Sequence, residues 1–561
     1  MLGICIGRSK RTILKLIVVS CIFATTAVFA QFSVLTWIGP DAASMAGANL
    51  GHSTNWAGTN GAGGTSPTSG VICTFDGTVP GNLRVFSQDG IDGDSGNPIG
   101  GGFGSAGIAI DLTPSQTGSV TVFSPVPASA NMGFNAFRVQ GGAGQLILGD
   151  NTSNQLRTVF RPGGSFHQWI NNSANPVIIS PNWMIQGSGA AVGSSIWFQG
   201  TGDFCITNNL RSNSGTGNPI PVSWDNTGTT FWAEGFPGGN GTNNSTNLFN
   251  TQLGAVTISA GSTLVITTPR LLPLYTYGVS GNTVTHNGTL LKFALSGIGG
   301  SSDTIPRVIS GTGAVMVVNG TITFTATNTY TGLTTVSNGT LLVNGRLGIG
   351  GVNVWGGRLG GSGSILGPVN IGSAGTLSPG NSIGTLTINS NLTIGGNLAI
   401  EVGKSPFDPS LLNDHVVVGG GLVNTGVGTL TVSQPSPFGS SLVPGDKFTL
   451  FNKPVQNGGA LTVTGAGVGW INQLEVDGSI IVSPPFLNYT NMGGTNLQLS
   501  WDGNYNLQWQ TNSVAVGLSN NWANYPGGSI SPVTVPMNGT IGAVFFRLVP
   551  TPVPFLRQEN P

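Results

Sequence analysis

The chain has 561 residues, 91 of them glycine, and its 19 basic residues balance its 19 acidic residues. This balance excludes a basic surface for nucleic acid, and the many β-branched and aromatic residues exclude an intrinsically disordered chain. Apolar runs beyond the N-terminus are short, so none reaches the ~18 residues of a membrane helix. No 3.6-residue apolar period is present, so the composition predicts an all-β protein.

Residues 1–30 are predicted to be a signal peptide. The apolar run 16–30 ends in small residues that suit cleavage after Ala30, and it follows a basic segment that contains Arg8, Lys10, Arg11 and Lys15. Loss of these four residues leaves a formal charge of −4. Two alternatives remain open: an uncleaved anchor, and lipidation at Cys21, which ends a segment loosely similar to a lipobox.

Residues 31–250 predict many short strands, interpreted as irregular N-terminal rungs and a cap. Apolar triplets such as Leu146–Leu148 and Val177–Ile179 alternate with glycine-rich turn signals. Cys73 and Cys205 lie in two such strands, and we expect both to be small buried side chains. A disulfide between them is the alternative, and it would require this region to fold back on itself.

Residues 251–483 are more regular and predict a β-solenoid. Gly339-Thr340-Leu341 and Gly375-Thr376-Leu377 are 36 residues apart, and Gly357-Arg358-Leu359 lies midway. A similar triplet recurs at residues 384–386. The spacing indicates rungs of ~18 residues that stack as parallel strands.

Five segments in this part of the chain occur in an order typical of one family. They are residues 328–341 with Asn328-Thr329-Tyr330-Thr331-Gly332, residues 377–386, 398–418, 445–451 and 470–482. The series resembles the autotransporter-associated β-strand repeat, also called the passenger-associated transport repeat. Ala326-Thr327 departs slightly from the family pattern, which usually has Ser/Gly-Ala there. The resemblance implies a right-handed parallel β-helix on an exported Gram-negative protein, a role in secretion or surface display, and no catalytic residues.

The C-terminal part predicts a separate module. Pro484-Pro485 marks a linker over 484–490, residues 491–549 predict a small antiparallel β-sandwich-like module, and 550–561 form a tail. The module resembles one that accompanies these repeats in some environmental Gram-negative bacteria. Trp501 and Trp509 are expected in its core, with carbohydrate-binding aromatics as the alternative. We find no series of amphipathic strands for an outer-membrane barrel, so we expect the protein to lack its own translocator.

Acidic residues give weak signals for a site. Asp89, Asp92 and Asp94 form an acidic cluster, in which Asp92-x-Asp94-x-Gly96-Asn97 loosely resembles a calcium loop but lacks its final glutamate. Asp-Gly pairs also form plain turns. A second set, Asp203, Asp225 and Glu234, could converge on one face of a stack. The histidines His52, His167, His286 and His415 show no metal-binding spacing, and we expect surface or strand positions for them. The sequence therefore predicts no catalytic, cofactor-binding or metal-binding residue.

The sequence favours a non-enzymatic, exported, passenger-like β-solenoid for adhesion, display or matrix formation. The alternatives are a polysaccharide-degrading β-helix enzyme, either lyase or hydrolase, and a carbohydrate-binding protein. Expected partners are polysaccharide or other cell-surface material and an unidentified secretion machinery, with no nucleic acid and no membrane span in the mature chain. The expected location is the medium or the outer cell surface of a Gram-negative bacterium, with the periplasm as an alternative.

Overall fold

The computed structural model divides into two compact units, Met1–Val315 and Met316–Pro561. The predicted signal peptide lies outside the described residues. The described residues are 33–37, 56–58, 71–86, 108–123, 130–132, 134–149, 156–160, 166–180, 183–187, 195–207, 220–233, 253–267, 283–295, 302–404, 410–435, 441–501, 505–513, 515–537 and 543–551.

The first unit consists of short strands joined by turns. Its described strands are β1 (Ser33–Trp37), β2 (Trp56–Gly58), β3 (Val71–Phe75), β4 (Leu83–Phe86), β5 (Ile108–Leu112), β6 (Val120–Phe123), β7 (Ala130–Met132), β8 (Phe134–Val139), β9 (Leu146–Leu148), β10 (Leu156–Phe160), β11 (Phe166–Asn171), β12 (Val177–Ile179), β13 (Trp183–Gly187), β14 (Ser195–Gly200), β15 (Phe204–Ile206), β16 (Ile220–Trp224), β17 (Thr229–Trp232), β18 (Leu253–Ile258), β19 (Thr263–Ile266), β20 (Val284–His286), β21 (Leu290–Ala294), β22 (Ser302–Ile305) and β23 (Ile309–Ser310).

These strands form two long parallel sheets. One sheet has the order β2-β1-β3-β5-β8-β11-β14-β16-β18-β20-β23, in which only the β1–β2 pair is antiparallel, and the other contains β4-β6-β9-β12-β15-β17-β19-β21. A short third sheet has the order β13-β10-β7. From β3 onward, strands next to each other in the chain fall in different sheets. The backbone therefore coils, and each turn of the coil is one rung of a parallel β-solenoid.

A column of aromatic side chains fills the core of the first unit. Phe137, Trp169, Phe198 and Trp224 occupy equivalent positions on successive rungs. Their ring centroids are separated by 5.5, 5.2 and 5.7 Å in that order, and all four side chains are fully buried. Each aromatic pair adds roughly 0.5–1.5 kcal/mol beyond the burial of area, so this column stabilises the stack along its axis.

The second unit also consists of short strands. They are β24 (Ala314–Asn319), which contains the boundary, β25 (Thr321–Phe324), β26 (Thr334–Val336), β27 (Thr340–Val343), β28 (Arg346–Leu347), β29 (Val352–Val354), β30 (Arg358–Gly361), β31 (Ser364–Ile365), β32 (Val369–Ile371), β33 (Thr376–Pro379), β34 (Thr385–Ile388), β35 (Leu392–Ile394), β36 (Asn397–Lys404), β37 (Leu411–Asn413), β38 (His415–Val418), β39 (Leu422–Asn424), β40 (Thr429–Ser433), β41 (Lys447–Thr449), β42 (Thr462–Gly465), β43 (Trp470–Gln473), β44 (Ser479–Val482), β45 (Asn488–Met492), β46 (Asn496–Ser500), β47 (Tyr505–Asn512), β48 (Ala523–Asn524), β49 (Val533–Pro536) and β50 (Ala543–Pro550). A 3₁₀ turn, η1 (Gly458–Ala460), and one helical turn, α1 (Leu474–Asp477), complete it.

Three parallel sheets build the solenoid of the second unit. They contain β26-β29-β32-β35-β39, β25-β27-β30-β33-β36-β40-β42 and β28-β31-β34-β38. Thr340 pairs with Arg358 and Arg358 pairs with Thr376, each 18 residues further on, which confirms the predicted rung length for this part of the stack. The next rungs are longer, since Thr376 pairs with Asn397 and Leu398 pairs with Leu430. The triplet at residues 384–386 does form a strand, but β34 belongs to a different sheet from β27, β30 and β33.

Asn328 and Tyr330 of the Asn-Thr-Tyr-Thr-Gly segment fill the interior of a turn, whereas Thr329 and Thr331 are exposed. Tyr330 is buried, and its hydroxyl lies 2.6 Å from Thr334 Oγ1. Asn328 is also buried, and its N–H donates to the Arg346 carbonyl of the next rung. A Cβ on Gly348 would lie 2.1 Å from the Tyr330 carbonyl oxygen, so only glycine fits above it. These residues are therefore used in packing.

Asparagine side chains at the turns connect neighbouring rungs. In each case Oδ1 accepts a backbone N–H from the adjacent rung at 2.7–3.2 Å, and each such bond contributes about 1 kcal/mol net. The pairs are Asn82–Ser119, Asn287–Thr312, Asn344–Ser362, Asn391–Gly421, Asn397–Thr429 and Asn452–Val418.

Antiparallel structure follows the solenoid. β41-β44-β43 form one antiparallel sheet, joined to the stack by isolated bridges Val416–Phe451 and Val423–Gln456. The C-terminal module has two more, β45-β46-β49 and β48-β47-β50, and its core combines Leu499 and Val533 of the first with Leu507 of the second. The predicted all-β solenoid with a small antiparallel β-sandwich-like module is confirmed.

Candidate functional site

The described aspartates all have hydrogen-bond or ion-pair partners within the fold. Some accept backbone N–H groups and others bind a basic or hydroxyl side chain. The pairs are Asp76–Thr78, Asp111–Arg138, Asp203–Thr229, Asp225–Ser259, Asp303–Thr304, Asp414–Gly384, Asp446–Lys404 and Asp477–Lys447. These carboxylates therefore contribute to the architecture.

Asp414 is the most perturbed of these carboxylates. It is fully buried, its Oδ1 accepts the Gly384 N–H at 2.9 Å, and its Oδ2 accepts the Glu401 N–H at 2.8 Å. Burial raises the pKa of Asp414 to about 7, and the negative charge of Glu401 adds to the effect, whereas both hydrogen bonds and Arg358 oppose it. Perturbed carboxyl groups cluster at functional sites but also occur in structural networks.

The surroundings of Asp414 contain one unsatisfied atom. Glu401 Oε2 is buried and has no hydrogen-bond partner among the described residues. Arg358 donates to the hydroxyl of the buried Ser378. A Cβ on Gly380 would lie 2.9 Å from Asp414 Oδ1, so the backbone closes over the carboxylate. Asp414 joins two segments of the chain and is shielded from any substrate in this conformation.

The acids singled out in the sequence are only partly described. Asp203 and Asp225 lie at turns between the same two sheets, on adjacent rungs. The Thr229 N–H donates to Asp203 Oδ1 at 2.7 Å, and the Ser259 hydroxyl donates to Asp225. Glu234, Asp89, Asp92 and Asp94 lie outside the described residues. The two described acids therefore stabilise turns through these hydrogen bonds.

The described histidines lie in strands, as predicted. His167 and His286 are buried, and His415 is half-buried. His286 Nε2 lies 2.7 Å from the Ala314 carbonyl oxygen, and burial lowers the pKa of this histidine. His52 lies outside the described residues. Within the described ranges, no three His, Cys, Asp or Glu side chains come close enough together to hold a metal ion.

Neither described cysteine forms a disulfide. Cys73 lies buried in β3, as expected, and burial raises the pKa of its thiol. Cys205 is half-buried in β15, so the expectation of full burial was wrong for this residue. Its neighbours Phe204 and Ile206 point into the core instead, since alternate residues of a strand face opposite sides.

A polar cleft lies where the solenoid meets η1 and α1. It has a volume of about 440 Å³ and is lined by Asn424, Thr425, Gly426, Asn457, Gly459, Ala460 and Glu475. The Asn424 amide donates to the carbonyls of Gly426 and Asn457, so this side chain shapes the cleft. The Glu475 side chain is exposed, and its Oε2 would lie 3.0 Å from a Cβ on Gly459. Glu475 has no hydrogen-bond or ion-pair partner among the described residues, unlike the aspartates.

Sequence reasoning missed this cleft. Its lining comes from three separate segments, 424–426, 457–460 and 475, none of which carries a recognisable motif. Only the stacking of rungs brings them together. The available signal is a run of asparagine, threonine and glycine at turns, which also occurs at many structural turns of this chain.

Aromatic residues of the C-terminal module are mostly packed. Trp501 is 5% exposed and its indole N–H donates to the Tyr505 carbonyl, which confirms it as a core residue. Trp509 is half-buried and packs edge-to-face against Tyr525. The Arg547 guanidinium lies 4.4 Å from the centroid of the Trp522 ring and covers one face of it.

Comparison with family models and with curated proteins finds no match for this chain. None of the helices in the described part of the chain has both the length and the apolar character needed to span a membrane.

Proposed function

We propose that this protein is a non-enzymatic, exported β-solenoid of the autotransporter-associated repeat type, which acts in adhesion, display or matrix formation. The observation that carries the proposal is the structural role of the residues that resemble the family. Asn328 and Tyr330 fill a turn, and Asp414 joins two segments by hydrogen bonds. Residues that resemble a passenger repeat thus build the stack, as expected of a spacer or display scaffold.

The experiment that tests the proposal locates the protein. Intact cells of the native host are treated with protease and probed with antibody, and the culture medium is examined in parallel. The proposal expects cleavage or labelling on intact cells, or recovery from the medium. Full protection on intact cells together with absence from the medium would place the protein inside the cell envelope and refute surface display.

One observation favours the second candidate, a polysaccharide-degrading enzyme. Glycosidases pair a carboxyl of raised pKa with a second carboxylate, and Asp414, with a pKa of about 7, lies near Glu401. The closed position of Asp414 argues against this candidate. Purified protein incubated with a panel of polysaccharides should release no reducing ends. Turnover that Glu401→Gln abolishes would establish the enzyme instead.

A further inference from the structure

The turns at one edge of the second unit form a continuous strip. Val354, Ile371, Ile394 and Asn424 pair in register on four successive rungs. Each is followed by a turn, so Trp355, Gly372, Gly395 and Thr425 lie one above another. With strands about 4.8 Å apart, Trp355 and Thr425 are separated by roughly 14 Å along the axis. We call this the edge strip, and its last turn lines the polar cleft.

The edge strip has no large side chain between its ends. The intervening turns, 372–375 and 395–396, contain only glycine, serine and alanine. A Cβ on Gly426 would lie 2.2 Å from the Gly395 carbonyl oxygen, and one on Gly395 would lie 3.4 Å from Thr425 Oγ1. Backbone therefore packs on backbone, so no large side chain projects from the surface between Trp355 and the cleft.

The two ends of the edge strip differ in chemistry. Trp355 is 59% exposed, so its large aromatic surface is open to solvent at one end. At the other end Glu475 offers a carboxylate, which only accepts hydrogen bonds, and bonds to a charged acceptor are stronger than neutral ones. The described residues that line the cleft include no lysine or arginine.

These features favour one class of ligand. A sugar ring has an apolar face of C–H groups, which can stack on the negative face of an indole ring, and hydroxyl groups, which can donate to a carboxylate. The volume of about 440 Å³ lies within the range of small-ligand sites, roughly 300–1,000 Å³. An acidic polymer would meet Glu475 without a compensating cation.

We propose that the edge strip binds a neutral, linear polysaccharide that runs along the solenoid axis from Trp355 to the Glu475 cleft. The inference does not depend on where the protein is located. Failure of glycan binding would leave the proposed display role intact, and protection from protease on intact cells would leave glycan binding intact.

The experiment measures binding of defined glycans to the purified full-length protein by calorimetry. The probes are cellohexaose, laminarihexaose and mannohexaose, with polygalacturonate as an acidic comparison. We expect at least one neutral hexasaccharide to bind and polygalacturonate to bind less tightly. Binding of none of the neutral probes, or a preference for polygalacturonate, would overturn the proposal.

Variants test the position of the ligand. Trp355→Ala should weaken binding about tenfold or more, as expected for loss of an aromatic anchor, and Glu475→Gln should weaken it less. Both side chains are exposed, so circular dichroism should show an unchanged fold. Trp522→Ala, in the C-terminal module, is the matched control and should leave affinity unchanged. Unchanged affinity in Trp355→Ala, or a loss in Trp522→Ala, would contradict the edge strip as the site.

Discussion

Asp414 shows how a single buried carboxyl can make stability depend on pH. Its pKa in the folded protein is about 7, against an ordinary value of 3.8. A raised pKa means that the fold favours the protonated form. Its contribution is therefore fully present below about pH 4 and is lost as the pH rises through 7. Each pKa unit corresponds to about 1.4 kcal/mol, so the shift from 3.8 to about 7 corresponds to roughly 4 kcal/mol in the free energy of unfolding.

We predict that Asp414→Asn removes most of this pH dependence, because asparagine does not titrate. Urea unfolding between pH 4 and pH 8 measures the pH dependence of the free energy of unfolding in the wild type and the variant. Asp477→Asn is the control. Lys447 lowers the pKa of Asp477, so the contribution of Asp477 to stability is lost as the pH falls, and this variant should keep the loss of stability that Asp414 causes as the pH rises. A wild-type protein whose stability does not change between pH 4 and pH 8 would contradict the role given to Asp414.

Two substitutions of Tyr330 separate the contribution of its hydroxyl to stability from the contribution of its aromatic ring. Tyr330→Phe removes the hydrogen bond to Thr334 Oγ1 and should cost about 1 kcal/mol. Tyr330→Ala also leaves a cavity, because the side chain is 2% exposed, and should cost roughly 3–5 kcal/mol. Denaturant unfolding of the two variants checks the prediction. Equal losses would mean that the ring does not fill the core.

At the scale of strands and turns, the close approach of rungs restricts certain positions to glycine. A Cβ on Gly357 would lie 2.2 Å from the Gly339 carbonyl oxygen, whereas one on Gly421 would meet its nearest atom at 3.5 Å. We predict that Gly357→Ala costs about 1–3 kcal/mol through overpacking. Gly421→Ala, also just before a strand, should change stability by less than about 0.5 kcal/mol. Thermal unfolding compares the two, and similar melting temperatures would disprove the close packing of rungs.

Sequence patterns predicted the rungs between Thr340 and Thr376 because these rungs have equal length, whereas the next rungs of the same sheet are longer. Thr340, Arg358 and Thr376 stack at an 18-residue interval that is visible in the sequence itself. In the first unit the interval varies, since Trp169 pairs with Phe137, 32 residues earlier, and Phe198 pairs with Trp224, 26 residues later. The aromatic column therefore has no fixed period, and only the register of strands reveals it.

The edge strip and its cleft were beyond sequence reasoning for a related physical reason. Trp355 stands between a strand and two glycines, which marks an exposed turn. Glu475 lies 120 residues later, in a helical turn outside the parallel strands. The position of Trp355 relative to Glu475 depends on how many rungs separate the two residues, and the fold sets this number. The predicted absence of catalytic and metal-binding residues stays a prediction.

For the whole molecule, a solenoid in which each rung contacts mainly its neighbours should tolerate loss of a complete rung. Deletion of residues 340–357 removes β27, β28 and β29 together and joins Gly339 to Arg358, whose strand has the same sheet position as the one removed. Leu359 then follows where Leu341 was, so the inward-facing pattern is kept. We predict a folded protein whose melting temperature falls by only a few degrees.

Deletion of residues 340–348 is the matched control, since it removes half as many residues but destroys the order of sheets. β26 would then be followed directly by β29, and these two strands belong to the same sheet. No strand is left to cross to the other two sheets in that rung, so apolar faces on both sides lose their partners. Limited proteolysis and thermal unfolding should show a larger loss for the nine-residue deletion than for the 18-residue one. An equal loss in both would mean that the second unit unfolds as a single block whose rungs are not interchangeable.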